Sequence, residues 1–297
     1  MMKKLFSLMI PYVFRLFSFL SLRGAHFFGK FLGKCLWLMN GRTRRITEKN
    51  LEICFTDMAH RARHDLAQES LQQLGMMTIE LGASWFWPVD KLLKTITEVD
   101  GLEYLEQAYL EQKGVVVLAP HLGNWEILGL YLADKYTMTG LYQPPAYASM
   151  DKMMYEARGR NGIKLVPTNT SGVKSLLKAL RRGEVTMILP DQVPPKNSGE
   201  FAPFFDIPTL TATLAQNLIT RTQAAVVVAG LLRLEGTKGF RLVFRPVADA
   251  IYSQDAVIAL SALNKGVEEV ILESPAQYQW EYKRFRRVPP GHVQPYK

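Results

Sequence analysis

The sequence predicts an α/β protein: a mixed, mostly parallel central sheet flanked by helices, preceded by a hydrophobic membrane-associating helix. Three observations carry this expectation. Val115-Val116-Val117-Leu118-Ala119 and similar short runs are apolar without alternation, the pattern of strands buried on both faces. These runs alternate with helical patterns, as they do where helices cover a sheet. Ahead of them, Lys3 and Lys4 precede an apolar stretch from Leu5 to Leu22.

That first stretch lacks a small-residue cleavage site, so it does not read as a signal peptide. As a membrane span it is interrupted by Pro11 and Arg15. Next come Phe27, Phe28, Phe31, Leu32, Leu36, Trp37 and Leu38, interleaved with Lys30 and Lys34. An aromatic and basic helix of this kind suits the plane of a bilayer surface. A pair of core helices in a soluble protein is the alternative. The apolar coverage of most of the first helix favours membrane attachment, through a segment 1–44 ahead of an α/β domain 45–297. If the helix spans, the basic residues from Lys30 to Arg45 would hold the body on the cytoplasmic side.

Along the domain, Leu66, Leu71, Leu74, Met77 and Leu81 recur at helical spacing within a helix expected over 61–87, which Pro88 ends. Further helices are expected at 102–112, 124–135, 151–160, 171–182, 210–221 and 255–273. Strands are expected at 115–119, 137–142, 163–166, 185–189, 224–232 and 240–246. Ligands in such sheets gather at the carboxyl ends of the strands.

Composition narrows the function. The 297 residues are 48% hydrophobic and 21% charged, which predicts a folded body, and the net charge of +9 favours anionic partners. The basic residues are scattered and no nucleic-acid recognition motif appears, so no nucleic-acid partner is expected. Cys35 and Cys54 make neither a disulfide framework nor a zinc knuckle, and Cys54, in the apolar run Ile53-Cys54-Phe55, reads as an inert thiol. His60 and His64 have metal-ligand spacing but stand beside Arg61 and Arg63, which would repel a cation. With no Walker A, Gly-x-Gly-x-x-Gly or Gly-x-Ser-x-Gly motif, no nucleotide, metal, cofactor or serine nucleophile is expected.

The chemistry concentrates in Pro120-His121-Leu122-Gly123-Asn124-Trp125-Glu126. His121 falls just past a strand's carboxyl end, Gly123 permits a tight turn, and Asn124 can cap the next helix. Glu126 then lies in that helix's first turn, from which it could fold toward His121. A neutral imidazole with a carboxylate beside it is a general base and its orienter, without a nucleophile of its own. The nucleophile would arrive as a substrate hydroxyl, which points to transfer. A satisfied histidine after a strand is the plainer alternative.

The His-x-x-x-x-Glu spacing, with Gly-Asn-Trp inside it, resembles the lysophospholipid acyltransferase superfamily, and its wording resembles the late acyltransferases of lipid A biosynthesis. Other matching segments follow in order: Asn50 to Phe55, Tyr142-Gln143-Pro144-Pro145, Arg158-Gly159-Arg160, Asp191-Gln192, Phe204-Phe205, Gln277 to Trp280, and Lys283-Arg284-Phe285-Arg286. Thr56, Asp206, Ala146 and Tyr147 depart from the family's usual wording. The resemblance implies a glycerol-3-phosphate-acyltransferase-like fold at the bacterial inner membrane. It also implies an acyl carrier protein donor and a phosphorylated glycolipid acceptor, a lipid A precursor or another envelope lipid. His121 and Glu126 would be catalytic, and Asn124, Arg158, Arg160, Asp191 and Gln192 would contact substrate. Either a backbone amide or a basic side chain would hold the oxyanion, and an arginine could instead grip a phosphate. A thioesterase or lipase using the same His/Glu pair is the enzyme alternative.

Overall fold

The computed structural model describes residues 2–195 and 197–296, with side chains from residue 9 onward, so the side chains of Lys3, Lys4 and Leu5 lie outside the described residues. Four helices lead the chain: α1 (Met2–Phe17), α2 (Leu22–Leu38), α3 (Arg42–Cys54) and α4 (His60–Phe86). Then come α5 (Val89–Leu93), β1 (Ile96–Asp100), α6 (Leu102–Leu110), β2 (Val115–Leu118), α7 (Trp125–Lys135) and β3 (Thr139–Tyr142). After these lie α8 (Asp151–Arg158), β4 (Lys164–Pro167), α9 (Thr170–Arg181), β5 (Val185–Ile188), β6 (Gly199–Phe204) and β7 (Ile207–Ala212). The chain finishes through α10 (Leu214–Thr222), β8 (Ala225–Arg233), β9 (Phe240–Pro246) and α11 (Ala256–Leu272).

The main sheet has the order β1-β9-β8-β2-β5. It is mixed and mostly parallel, since only the β8–β9 pair is antiparallel. Val115 to Leu118 and the whole of β8 are buried, as their unbroken apolar runs require. Apolar cores lie on both faces: Leu176, Leu218, Leu263 and Trp280 belong to one, Leu105, Leu128, Leu132 and Phe244 to the other.

The strands expected at 137–142 and 163–166 do not join this sheet. They pair with each other as β3–β4, linked to the main sheet through the single bridge Met138–Val185. The helix expected at 210–221 also starts late. Leu210 to Ala212 complete the antiparallel hairpin β6–β7, and α10 begins at Leu214. Neither this hairpin nor β1 is among the elements that the sequence pattern predicts.

Among the described residues, no helix is long and apolar enough to cross a membrane. Helix α2 instead lies against α4 with the backbones touching. A Cβ on Gly33 would come within 2.3 Å of Gln72 Cα, and one on Gly75 within 2.1 Å of Gly29 O. Small residues at such a crossing let two helices approach to backbone contact. A buried ionic cluster joins the same elements: Glu80 of α4 accepts from His26 of α2 at 2.7 Å and from Arg233 of β8 at 2.6 Å. Burial would raise the Glu80 carboxyl, but Arg233 and His26 outweigh it and hold the group below its ordinary value. The opposite side of α2 stays open, with Phe27, Phe31 and Leu38 exposed.

Candidate functional site

Parallel pairing of β2 with β5 sets the site. Leu118 is level with Ile188, so His121 and Asp191 each stand three residues beyond a matched pair and emerge side by side at the carboxyl edge. Asp191 takes both donors that His121 offers it: the backbone N–H reaches Oδ2 at 2.9 Å, and ring Nδ1 lies 2.8 Å from Oδ1. The side chain of Asp191 is 2% exposed. Burial would raise its carboxyl, but the His121 ring and backbone contacts prevail and hold it below the usual range, hence ionised. An ionised Asp191 requires the proton on Nδ1 and leaves the lone pair on Nε2. Facing Nε2 at 3.2 Å is the Gln192 amide nitrogen, which also donates to Gln279 Oε1 at 3.0 Å. Among the described residues, the His121 ring hydrogen-bonds only Asp191 and Gln192.

The turn after His121 is over-determined. Gly123 has φ +59°, and a Cβ there would meet Leu231 O at 1.9 Å. Gly123 N donates to Gln277 O, Asn124 N to Leu231 O, and Gln279 N to His121 O. Arg233 also donates to Gly123 O at 3.1 Å, which ties the turn to the buried ionic cluster. Asn124 is fully enclosed. Its side chain caps α7 by accepting from Ile127 N, and it donates to Glu80 Oε2 and Ser84 Oγ. Every polar atom of the Asn124 side-chain amide, expected at the substrate, thus has a protein partner.

Glu126 does not hold His121. Its carboxylate is paired with Arg158 of α8, whose Nε lies 3.0 Å and 3.2 Å from the two oxygens and whose Nη2 makes a further contact. The Glu126 side chain is 7% exposed and that of Arg158 34%. The Glu126 charge raises the Arg158 pKa against its burial. The expectation that Glu126 orients the imidazole is thus corrected: the geometry gives that contact to Asp191. Arg160, expected at a substrate phosphate, reaches backward to the carbonyls of Ser84, Trp87 and Ala157, where it clamps α8 to the end of α4.

Beside His121, Glu126 and Arg158 lies a cavity of about 190 Å³, otherwise mostly apolar. Trp85, Leu141, Leu165, Met187 and Leu189 contribute to its walls, so the separate sheet β3–β4 and helix α8 close it. The Trp125 ring meets the imidazole edge-on at 5.0 Å between centroids. A smaller recess on another flank of His121 is lined by Gln73, Met77, Gln279 and Glu281. Burial pushes the Glu281 carboxyl up to about 7, against the backbone and Gln279 hydrogen bonds and the His121 charge that lower it.

The Glu281 shift has a measurable sign. A carboxyl raised in the folded state holds a proton that the unfolded chain has released, so its contribution to stability falls as pH rises between about 4.5 and about 7. Glu281→Gln should flatten this decline. Thermal unfolding of parent and variant across that window checks it, and parallel slopes would contradict the assignment.

The basic tail is divided. Arg284 is 3% exposed and donates to Leu210 O and Thr211 Oγ1, which takes it off the surface. Arg286 and Arg287 are exposed. His60 and His64 are exposed, and no group of three or more metal-type ligands occurs among the described residues. Cys54 is half-buried, and desolvation pushes its thiol well up.

The sequence model for bacterial lipid A biosynthesis acyltransferases matches residues 4–287. The lipid A biosynthesis palmitoleoyltransferase of Escherichia coli (strain K12) is 30% identical over 251 residues, covering 84% of this chain and 81% of the relative. The lauroyltransferase of the same organism is 28% identical over 261 residues, 88% of this chain and 84% of the relative. Its myristoyltransferase is 26% identical over 277 residues, 91% and 82% respectively.

Proposed function

This chain belongs to the bacterial lipid A biosynthesis acyltransferase family and is an acyltransferase, and we propose that it carries a fatty acyl chain from acyl carrier protein to a hydroxyl of a phosphorylated lipid A precursor. The observation that carries this reading is the His121–Asp191 pair beside an apolar cavity, with no protein nucleophile bonded to the imidazole among the described residues. Nε2 of His121 takes the proton of the acceptor hydroxyl once that hydroxyl displaces the Gln192 amide. The acceptor oxygen then attacks the thioester carbonyl, the carbon–sulfur bond breaks, and His121 returns the proton to the leaving sulfur. Asp191 steadies the imidazolium formed between these steps. The amides of Trp125 and Glu126, in the first turn of α7 and outside its hydrogen-bond ladder, are candidates for the oxyanion. The acyl chain occupies the cavity walled by Trp85, Leu141, Leu165 and Met187. Glu126 fixes Arg158 at the cavity's charged side, where it meets the acceptor or the thioester.

The exposed Phe27, Phe31 and Leu38 of α2, with Tyr12, Leu16 and Phe19 before them, support attachment to a bilayer surface. On this reading the enzyme works at the cytoplasmic face of the inner membrane, where acyl carrier protein and the lipid acceptor would meet. Another envelope glycolipid in the acceptor's place would use the same steps.

Thiol release from the acyl donor separates transfer from hydrolysis. The rate should rise strongly when the lipid acceptor is added, in step with ester formation. Release at the same rate with and without acceptor would identify a thioesterase instead.

A further inference from the structure

Away from His121, a groove lies between α3 and the carboxyl-terminal tail, lined by Arg42, Arg45, Ile46, Lys49, Lys283 and Tyr296. Four of these side chains are cationic and none is acidic. Arg42, Arg45 and Lys283 make no ion pair among the described residues, and Lys49 shares its charge only with Glu52 at the surface. The neighbouring Arg44 is different: it pairs with Glu48 and lies over the Trp37 ring at 3.7 Å. Lys283 stands 5.2 Å from the centre of the Tyr296 ring, and the Tyr296 hydroxyl donates to Asn50 of α3, so the tail and the helix are fastened together. Like charges gathered in one groove repel each other, and a bound anion relieves that cost.

The segment that leads into α3 bears on the anion's carrier. Helix α3 begins just after Leu38 and Met39, which are 79% and 66% exposed. Phe27 and Phe31 occupy the same face of α2 as Leu38 and are also exposed. An apolar stripe followed along the chain by a cluster of cations, three of them without an ion pair among the described residues, matches a surface that is apolar inside and anionic at its headgroups.

We propose that this groove is a binding site for the phosphate of an anionic phospholipid headgroup, distinct from the acceptor site at His121. The site rests on the membrane reading of α2, but it does not depend on acyl transfer. Bound there, a headgroup holds the edge of α3 and the tail against the bilayer while the carboxyl edge of the sheet stays open to its substrates. The tail segment that ends in Lys283 also supplies Gln279 and Glu281 beside His121.

Full-length Arg42→Gln/Arg45→Gln and a control, Arg181→Gln/Arg221→Gln, remove equal charge from exposed positions. Each is mixed with vesicles of phosphatidylcholine alone or of phosphatidylcholine with phosphatidylglycerol, and binding is read by cosedimentation. The groove variant should bind the anionic vesicles about thirtyfold more weakly than the parent, at about fivefold per cation near a charged surface. The control should lose much less, and binding to neutral vesicles should be unchanged for both. Equal losses in the two variants would overturn the proposal, since general charge would then explain the attraction. Acyl transfer in neutral detergent micelles separates the other partner. The groove variant should keep parental kinetics there, whereas a raised Michaelis constant for the acyl donor would assign the groove to an acidic protein. Vesicle binding that behaves as expected in a protein without transferase activity would leave the groove assignment standing and remove the catalytic one.

Discussion

Asp191→Asn is expected to lower acyl transfer about a hundredfold to ten-thousandfold, close to the loss from His121→Ala. Asp191 is buried and accepts twice from His121, once from the backbone and once from the ring. An amide in its place has one acceptor oxygen. If that oxygen keeps the backbone N–H, the amide NH₂ faces ring Nδ1 and favours the tautomer protonated at Nε2. That nitrogen then has no lone pair for the acceptor hydroxyl. Steady-state rates alongside circular dichroism of each variant check the effect. Near-parental rates in a folded Asp191→Asn protein would remove Asp191 from the catalytic centre.

Arg158→Met is expected to cost about 2 kcal/mol of stability as well as most of the activity, because it strands the Glu126 carboxylate beside an apolar cavity. The figure sits below the range for fully enclosed pairs, since Arg158 is about a third open to solvent. Adding Glu126→Gln should restore much of the lost stability by removing the stranded charge. It should not restore transfer if the pair serves the substrate. Denaturant unfolding and turnover of the two single variants and the double variant separate these outcomes. Recovery of both stability and activity would make the ion pair purely structural.

Features fixed by local pattern were legible in the sequence. The unbroken apolar run of β2, Pro88 just beyond the end of α4, and the placement of His121 and Asp191 after strands all follow from single segments. Which residues meet across the chain did not follow. The five-residue spacing of His121 and Glu126 suggested that they pair, whereas their partners, Asp191 and Arg158, come from β5 and α8. Parallel pairing of β2 with β5 was the missing fact, and it brings two strand ends together over a separation of 70 residues. The β6–β7 hairpin was hidden by its turn. Phe205 and Asp206 both adopt positive φ, at 50° and 60°, without the Asn-Gly signature that marks such turns. Glu268 accepts from Phe205 N at 2.7 Å, and the Phe205 ring packs on Phe55 and Trp280, which holds an unfavourable residue in place. Strand β1 escaped notice because it is an edge strand with Glu98 and Asp100 in a short, largely exposed run. Arg160 and Asn124, which the resemblance sets among the substrate contacts, each satisfy backbone or buried protein groups at a place only the fold defines.

In the mechanism we propose, His121 activates a hydroxyl of a lipid A precursor for attack on an acyl carrier protein thioester. Mass spectrometry of the acceptor after incubation with acyl donor and either the parent or His121→Ala tests it directly. The parent should add the mass of one acyl ester to the acceptor, and the folded His121→Ala protein should leave the acceptor nearly unchanged. An acceptor left unmodified by the parent while free fatty acid accumulates, or acylated equally by both proteins, would contradict the claim.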